Sequence, residues 1–155
     1  MPHIHLEYSD NVENFEPKPL LLALNQALVE GAYVTAANEL KSRAICQHDY
    51  VIGLGDVSQA YVHAKVSLLA GCSLELQQQI AQVILHTLEQ HIPAQSQVSV
   101  QICVEILEMQ KATYAKKLFK ALLPDLVRGY RENRLAIFLL HVCLLCLARN
   151  SQACI

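Results

Sequence analysis

Polar and apolar residues alternate strictly at the start of the chain. Pro2, Ile4, Leu6 and Tyr8 point one way, and His3, His5 and Glu7 the other, the period of two expected of a β-strand. Ser9-Asp10-Asn11 then supplies turn chemistry. After Pro17 and Pro19, which suit a helix start, Leu20, Leu24, Ala27 and Leu28 recur at helical spacing, with Gly31 as a stop. Leu40 to Cys46 reads as a second strand with Lys41 and Arg43 on one face.

The same order then returns. Ala60 to Leu69 is rich in β-formers, Gly71 breaks it, and Ser73 is a good N-cap. Leu76, Ile80, Val83, Ile84 and Leu88 form a helical stripe, and Val98, Val100, Ile102, Val104 and Ile106 share one face of a last strand. Strand–helix–strand therefore occurs twice, offset by about 56 to 58 residues. The pattern predicts an α+β fold: two tandem βαβ units, about 2–47 and 59–107, forming a four-stranded sheet with two helices on one face. The other face needs cover, and the alternating apolar residues predict burial against further copies of the chain.

The expected domain spans 1–118, followed by an apolar extension over 119–155. Within it, Leu135 to Leu147 is apolar all round, but at 13 residues it falls short of the roughly 18 or more needed for a membrane span. A buried helix, an interfacial segment and an extension unused by the fold are the alternatives, and no membrane role is assigned.

Composition narrows the classes. Twelve Lys and Arg against fourteen Asp and Glu give a net charge of −2, which excludes nucleic-acid binding through a dominant basic field. The charge is uneven: residues 1–118 carry seven basic and twelve acidic side chains, and 119–155 five basic and two acidic. The opening has neither the basic nor the apolar region of a secretory leader, which predicts a cytoplasmic protein. Six scattered cysteines are accordingly expected as buried free thiols.

Few residues carry candidate chemistry. Removal of Met1 would leave Pro2 as a secondary amine, able to act as a general base when neutral; the plainer alternative is a proline opening an edge strand. Lys41 and Arg43 are two cations in a region short of them. They can clamp a carboxylate and disfavour protonation of a nearby amine, or simply form a solvated strand face. His3 and His5, with His63 at the corresponding place in the second unit, could share a metal, but no acid or thiol accompanies them locally, and no metal is expected. Cys143-Leu-Leu-Cys146 has the spacing of a zinc or redox motif yet sits in an aliphatic run, where packing explains it. Gly53-Leu54-Gly55-Asp56 is a loop without the following helix of a phosphate site.

Met1-Pro2-His3, Glu7-Tyr8-Ser9-Asp10-Asn11, Leu40-Lys41-Ser42-Arg43, Ala60-Tyr61-Val62-His63 and Ala70-Gly71-Cys72-Ser73-Leu74-Glu75 together resemble the 5-carboxymethyl-2-hydroxymuconate isomerase family of the tautomerase superfamily. The likeness runs from residue 1 to about 118. It implies a homotrimer with no cofactor, in which Pro2 shuttles a proton during keto–enol isomerisation of a carboxylated dienol from homoprotocatechuate breakdown. Lys41 and Arg43 are then the substrate-binding residues. Two departures stand out. The family commonly reads Arg-Ser-Arg at Lys41-Ser42-Arg43, and lysine keeps the charge without the bidentate fork. The family also tends to carry an arginine at the position of Cys72, which is neutral here. The alternative reading from a different class is a non-catalytic oligomeric protein that binds small carboxylates on the same fold.

Overall fold

The computed structural model describes residues 2–119. Its elements follow in the order β1 (His3–Ser9), α1 (Pro17–Glu30), β2 (Lys41–Gln47), β3 (Gln59–Leu69), α2 (Leu74–His91) and β4 (Ser99–Met109). All lie in one compact unit, Met1–Ala115. The described residues of the second unit, Lys116–Ile155, place the Lys117 ammonium 5.0 Å from the centre of the Phe119 ring. The apolar run expected to be buried or interfacial, with Cys143, Cys146 and Cys154, lies outside the described residues.

Each half is a βαβ unit, as the repeat predicts. The strands stand in the order β2-β1-β3-β4. β1 pairs in parallel with β2, and β3 with β4, while β1 and β3 meet antiparallel at the centre. Parallel pairing within a half requires a crossover, which each helix supplies. The second half begins its strand at Gln59 against His3, its helix at Leu74 against Pro17, and its closing strand at Ser99 against Lys41. Those offsets of 56, 57 and 58 residues match the sequence repeat.

One side of the sheet is the core. Ile4 and Leu6 of β1 and Ala60, Val62, Ala64 and Val66 of β3 are fully buried against Leu24 and Leu28 of α1 and Ile84 and Leu88 of α2. Val100, Ile102, Val104 and Ile106 of β4 pack on the rim of this cluster. The alternating apolar positions of β1 and β3 are thus buried by the chain's own helices, while those of β4 stay half-buried. The opposite face is mostly polar, and it carries His3, His5, Glu7, Lys41, Arg43, His63, Lys65 and Glu105. Lys65 Nζ meets Glu7 Oε1 at 3.1 Å, and His63 Nε2 lies 3.5 Å from Glu105 Oε2.

Both helix starts use the expected devices. α1 opens with Pro17 and Pro19 in its first turn, where a missing N–H breaks no helical bond. α2 is capped by Ser73, whose hydroxyl accepts the Leu76 N–H at 3.2 Å. The end of α1 differs in detail: Gly31 has an ordinary φ of −73°, and Ala32 takes the left-handed turn at 55°. Glycine serves another purpose here, because a Cβ at position 31 would collide with the Tyr33 ring. None of the helices among the described residues is long and apolar enough to cross a membrane.

The thiols also depart from expectation. Cys46 and Cys72 are half-buried and Cys103 is exposed. Cys103 falls on the polar side of β4, two positions from Glu105, so an apolar neighbourhood in sequence does not bury it.

Candidate active site

The head of β1 organises the site. Pro2 is buried, in line with Ile4 and Leu6, so its ring faces the helices. Its carbonyl accepts the backbone N–H of Lys41 at 3.3 Å. That bond fixes the first turn of the β1–β2 ladder and sets His3 opposite Lys41 and His5 opposite Arg43. In a parallel pair such partners emerge on the same side. The two cations therefore share the polar face with the two histidines, whereas the Pro2 ring lies on the other. One subunit brings Pro2 and Lys41 to the same sheet end but does not put their side chains on one face.

Electrostatics register the cations directly. Burial, then the charges of Lys41, His5 and Arg43, hold His3 below the ordinary histidine value. Burial and then Arg43 lower His5 as well, against a smaller opposing effect from Glu7. Arg43 Nη2 sits 3.2 Å from His5 Nδ1. A guanidinium can only donate, so His5 accepts through Nδ1 and carries its proton on Nε2. The imidazole is thereby kept neutral beside a fixed cation.

Three further segments close this end of the sheet. Because β3 runs antiparallel to β1 with His3 opposite Ser67, its final residues and the following Ala70, Gly71 and Cys72 lie beyond the start of β1. The Ala70 N–H bonds the Met109 carbonyl at 2.8 Å, which ties the end of β4 to the same place. Beyond β4 a short turn, Lys111–Thr113, leads to Tyr114, whose hydroxyl lies 3.4 Å from His3 Nε2. Their rings meet edge to face at 6.0 Å. Sequence reasoning missed Tyr114 because its partner is 111 residues away.

The histidines do not converge. His3 meets Tyr114, His5 meets Arg43, and His63 meets Glu105. Among the described residues no group of three or more His, Cys, Asp or Glu side chains is arranged to hold a metal. An open groove of about 600 Å³ between α1 and α2 is lined by Ala27, Glu30, Val83, His86 and Thr87 among others, on the side of the helices away from the sheet, and no lysine or arginine lines it.

Comparison with known proteins agrees with this architecture. A 5-carboxymethyl-2-hydroxymuconate isomerase from Deinococcus radiodurans R1 is 27% identical with a TM-score of 0.70, over 76% of this chain and 90% of that one. A 5-carboxymethyl-2-hydroxymuconate delta-isomerase shares the fold at 18% identity and a TM-score of 0.60, over 84% and 93% of the two chains. A fused 4-OT wild-type symmetric trimer shares it at 15% identity and 0.56, over 77% and 94%. No curated protein sequence matches the chain. The model of the family described as 5-carboxymethyl-2-hydroxymuconate isomerase matches residues 2–121. With most of its length matched and its two βαβ units folded as in solved relatives, this chain belongs to the 5-carboxymethyl-2-hydroxymuconate isomerase family and is an isomerase of the tautomerase type.

Proposed function

We propose that the protein interconverts the enol and keto forms of 5-carboxymethyl-2-hydroxymuconate or a related carboxylated dienol, using Pro2 as the proton shuttle. Loss of Met1 leaves Pro2 with a secondary amine at the very head of β1. An ordinary α-amino group titrates at about 7.7–8.0, and neighbouring cations shift such a group toward its neutral form. The nitrogen then takes the proton of the substrate's 2-hydroxyl. The O–H electrons form the carbonyl, the diene π-bonds shift along the chain, and the same proton is returned to a distal carbon. Nothing is oxidised or reduced, and composition is unchanged. Lys41 and Arg43 bind carboxylates and favour the negative charge that develops on oxygen.

The observation that carries this reading is the field at the sheet end. The Pro2–Lys41 backbone bond locks the amine-bearing strand to the cation-bearing one, and burial followed by the cations holds His3 and His5 toward neutrality. The same field would act on an amine at position 2. A homotrimer is part of the proposal. Fused 4-OT neighbours with this fold are trimers, and a second copy could bring to Pro2 the face that its own sheet turns away.

The test is turnover of 5-carboxymethyl-2-hydroxymuconate, after intact-mass measurement has established loss of Met1. Pro2→Ala should lower kcat by about 10²–10⁴, the usual contribution of a positioned general base. Retained Met1 without turnover leaves the non-catalytic carboxylate-binding reading in its place, whereas unchanged turnover in the variant means that Pro2 is not the base.

A further inference from the structure

We propose that Lys111, on the turn after β4, is a carboxylate-binding residue of the Pro2 site; the assignment rests on the proton-shuttle reading above. The argument begins with a census of cations. The first 115 residues hold only Lys18, Lys41, Arg43, Lys65 and Lys111. Lys18 is in the first turn of α1, which starts beyond the far end of β1. Lys65 is taken by Glu7 at 3.1 Å. Lys41 and Arg43 stand together on β2, at one margin of the sheet. A dienol with carboxylates at both ends is best held by a further cation on the other side of β1, and within this unit of the subunit Lys111 is the one that remains.

Its position fits. The Lys111 ammonium lies 3.3 Å from the point a Cβ on Gly71 would occupy. Gly71 has φ +107°, a conformation that suits glycine, and its bare backbone leaves room for the ammonium. The turn is anchored twice more, by the Ala70–Met109 bond before it and by Tyr114 against His3 after it. The segment thus passes from β4 across the end of β3 to the start of β1. Lys111 rides on that crossing against Gly71, the residue before the neutral Cys72.

No carboxylate among the described residues lies within ion-pair distance of Lys111. Glu108, the acid nearest to it along the chain, accepts a hydrogen bond from the Gln77 amide at 2.8 Å, on the α2 side. A cation without an internal anion among the described residues, standing beside Gly71 at the end of the sheet where β1 begins, is available to an external carboxylate.

The test separates binding from catalysis. Tricarballylate, an unreactive tricarboxylate, is titrated calorimetrically into the wild-type protein, Lys111→Met, Lys111→Arg and Pro2→Ala. Lys111→Met should weaken binding roughly tenfold, within the range for a charged hydrogen bond. Lys111→Arg should hold close to wild type, and Cys72→Arg in the Lys111→Met background should recover much of the loss. Pro2→Ala should bind while failing to turn over, so the shuttle is judged by its kcat alone. Equal affinity of Lys111→Met and wild type, or no binding by the wild type, overturns the assignment of Lys111 whatever Pro2 does. Lys111 is exposed, so its replacement does not threaten folding.

Discussion

The carbonyl of Pro2 accepts the backbone N–H of Lys41 at 3.3 Å, so the residue that heads β1 and the cation that heads β2 cannot move independently. Position 41 should therefore act on substrate binding more than on proton transfer. Lys41→Met is expected to raise KM for 5-carboxymethyl-2-hydroxymuconate about tenfold with a smaller change in kcat, the sign of lost ground-state binding. Lys41→Arg should bind at least as well as wild type, because the fork adds bidentate contact. A steady-state comparison of the three proteins decides it. A loss confined to kcat would move Lys41 from binding to transition-state stabilisation.

Arg43 has a second partner, and its replacement should show in the ionisation of His5. The guanidinium lies 3.2 Å from Nδ1 and is the leading charge that holds His5 low. In Arg43→Met the imidazole should titrate closer to 6.5, with Glu7 now the nearer influence. Proton NMR of the His5 ring across pH 4–8 follows this directly. An unmoved midpoint would mean that burial alone sets it.

The same lowered histidines give stability a defined pH dependence. Below about pH 6.5 an unfolded chain takes up protons at His3 and His5 that the folded protein still refuses. The unfolded state then binds more protons, so stability is full above that pH and falls as pH drops toward the folded values. Asp10 adds a separate loss at lower pH. The His48 hydrogen bond, at 2.9 Å, chiefly depresses its carboxyl, and that contribution disappears only as pH falls below the ordinary carboxylate range. Urea midpoints at pH 7.5 and 5.5, at one protein concentration, should differ less in a His3→Gln/His5→Gln variant than in wild type. An equal difference would exclude these two residues as the source.

Which parts were legible in sequence follows from the range of the signal. Period two in Pro2–Tyr8 and period 3.6 in Leu20–Leu28 are local, and their repetition some 57 residues on displayed the duplicated fold. Lys41 and Arg43 were visible because they share a strand face four residues long. Tyr114 and Lys111 were not, because their significance comes from a crossing of three strands that joins positions over a hundred residues apart. Two local details also lay out of reach. α1 stops at Gly31 as read, but the positive φ falls on Ala32 and Gly31 makes room for Tyr33. Cys103 lies among valine and isoleucine, yet alternation turns it out with Glu105.

Ser9 ends β1 as a fully buried polar side chain, and its hydroxyl accepts the Tyr61 N–H at 2.9 Å. Ser9→Ala would leave that buried donor without its partner, at a cost of about 1–3 kcal/mol. Ser9→Thr keeps the hydroxyl but adds a methyl to a closed site, so it is expected to recover only part of the loss. Denaturant midpoints at constant slope provide the measure. A neutral Ser9→Ala would show that Tyr61 finds another acceptor.

Two leucines two residues apart on α1 separate core packing from helix propensity. Leu24 is fully buried between the sheet and α2, whereas Leu22 is 59% exposed. Leu24→Ala removes the buried atoms and leaves a cavity that its neighbours fill only in part, so about 2–5 kcal/mol should be lost. Leu22→Ala replaces one good helix former with a better one on the outer face, and should fall within about 0.5 kcal/mol of wild type. The two variants share a chemical change and a helix, so their difference isolates burial. Equal effects by urea unfolding would mean that α1 does not pack on the sheet through Leu20, Leu24 and Leu28. In that case the helix would not hold the β1–β2 pair, and the Pro2–Lys41 alignment would have to come from elsewhere.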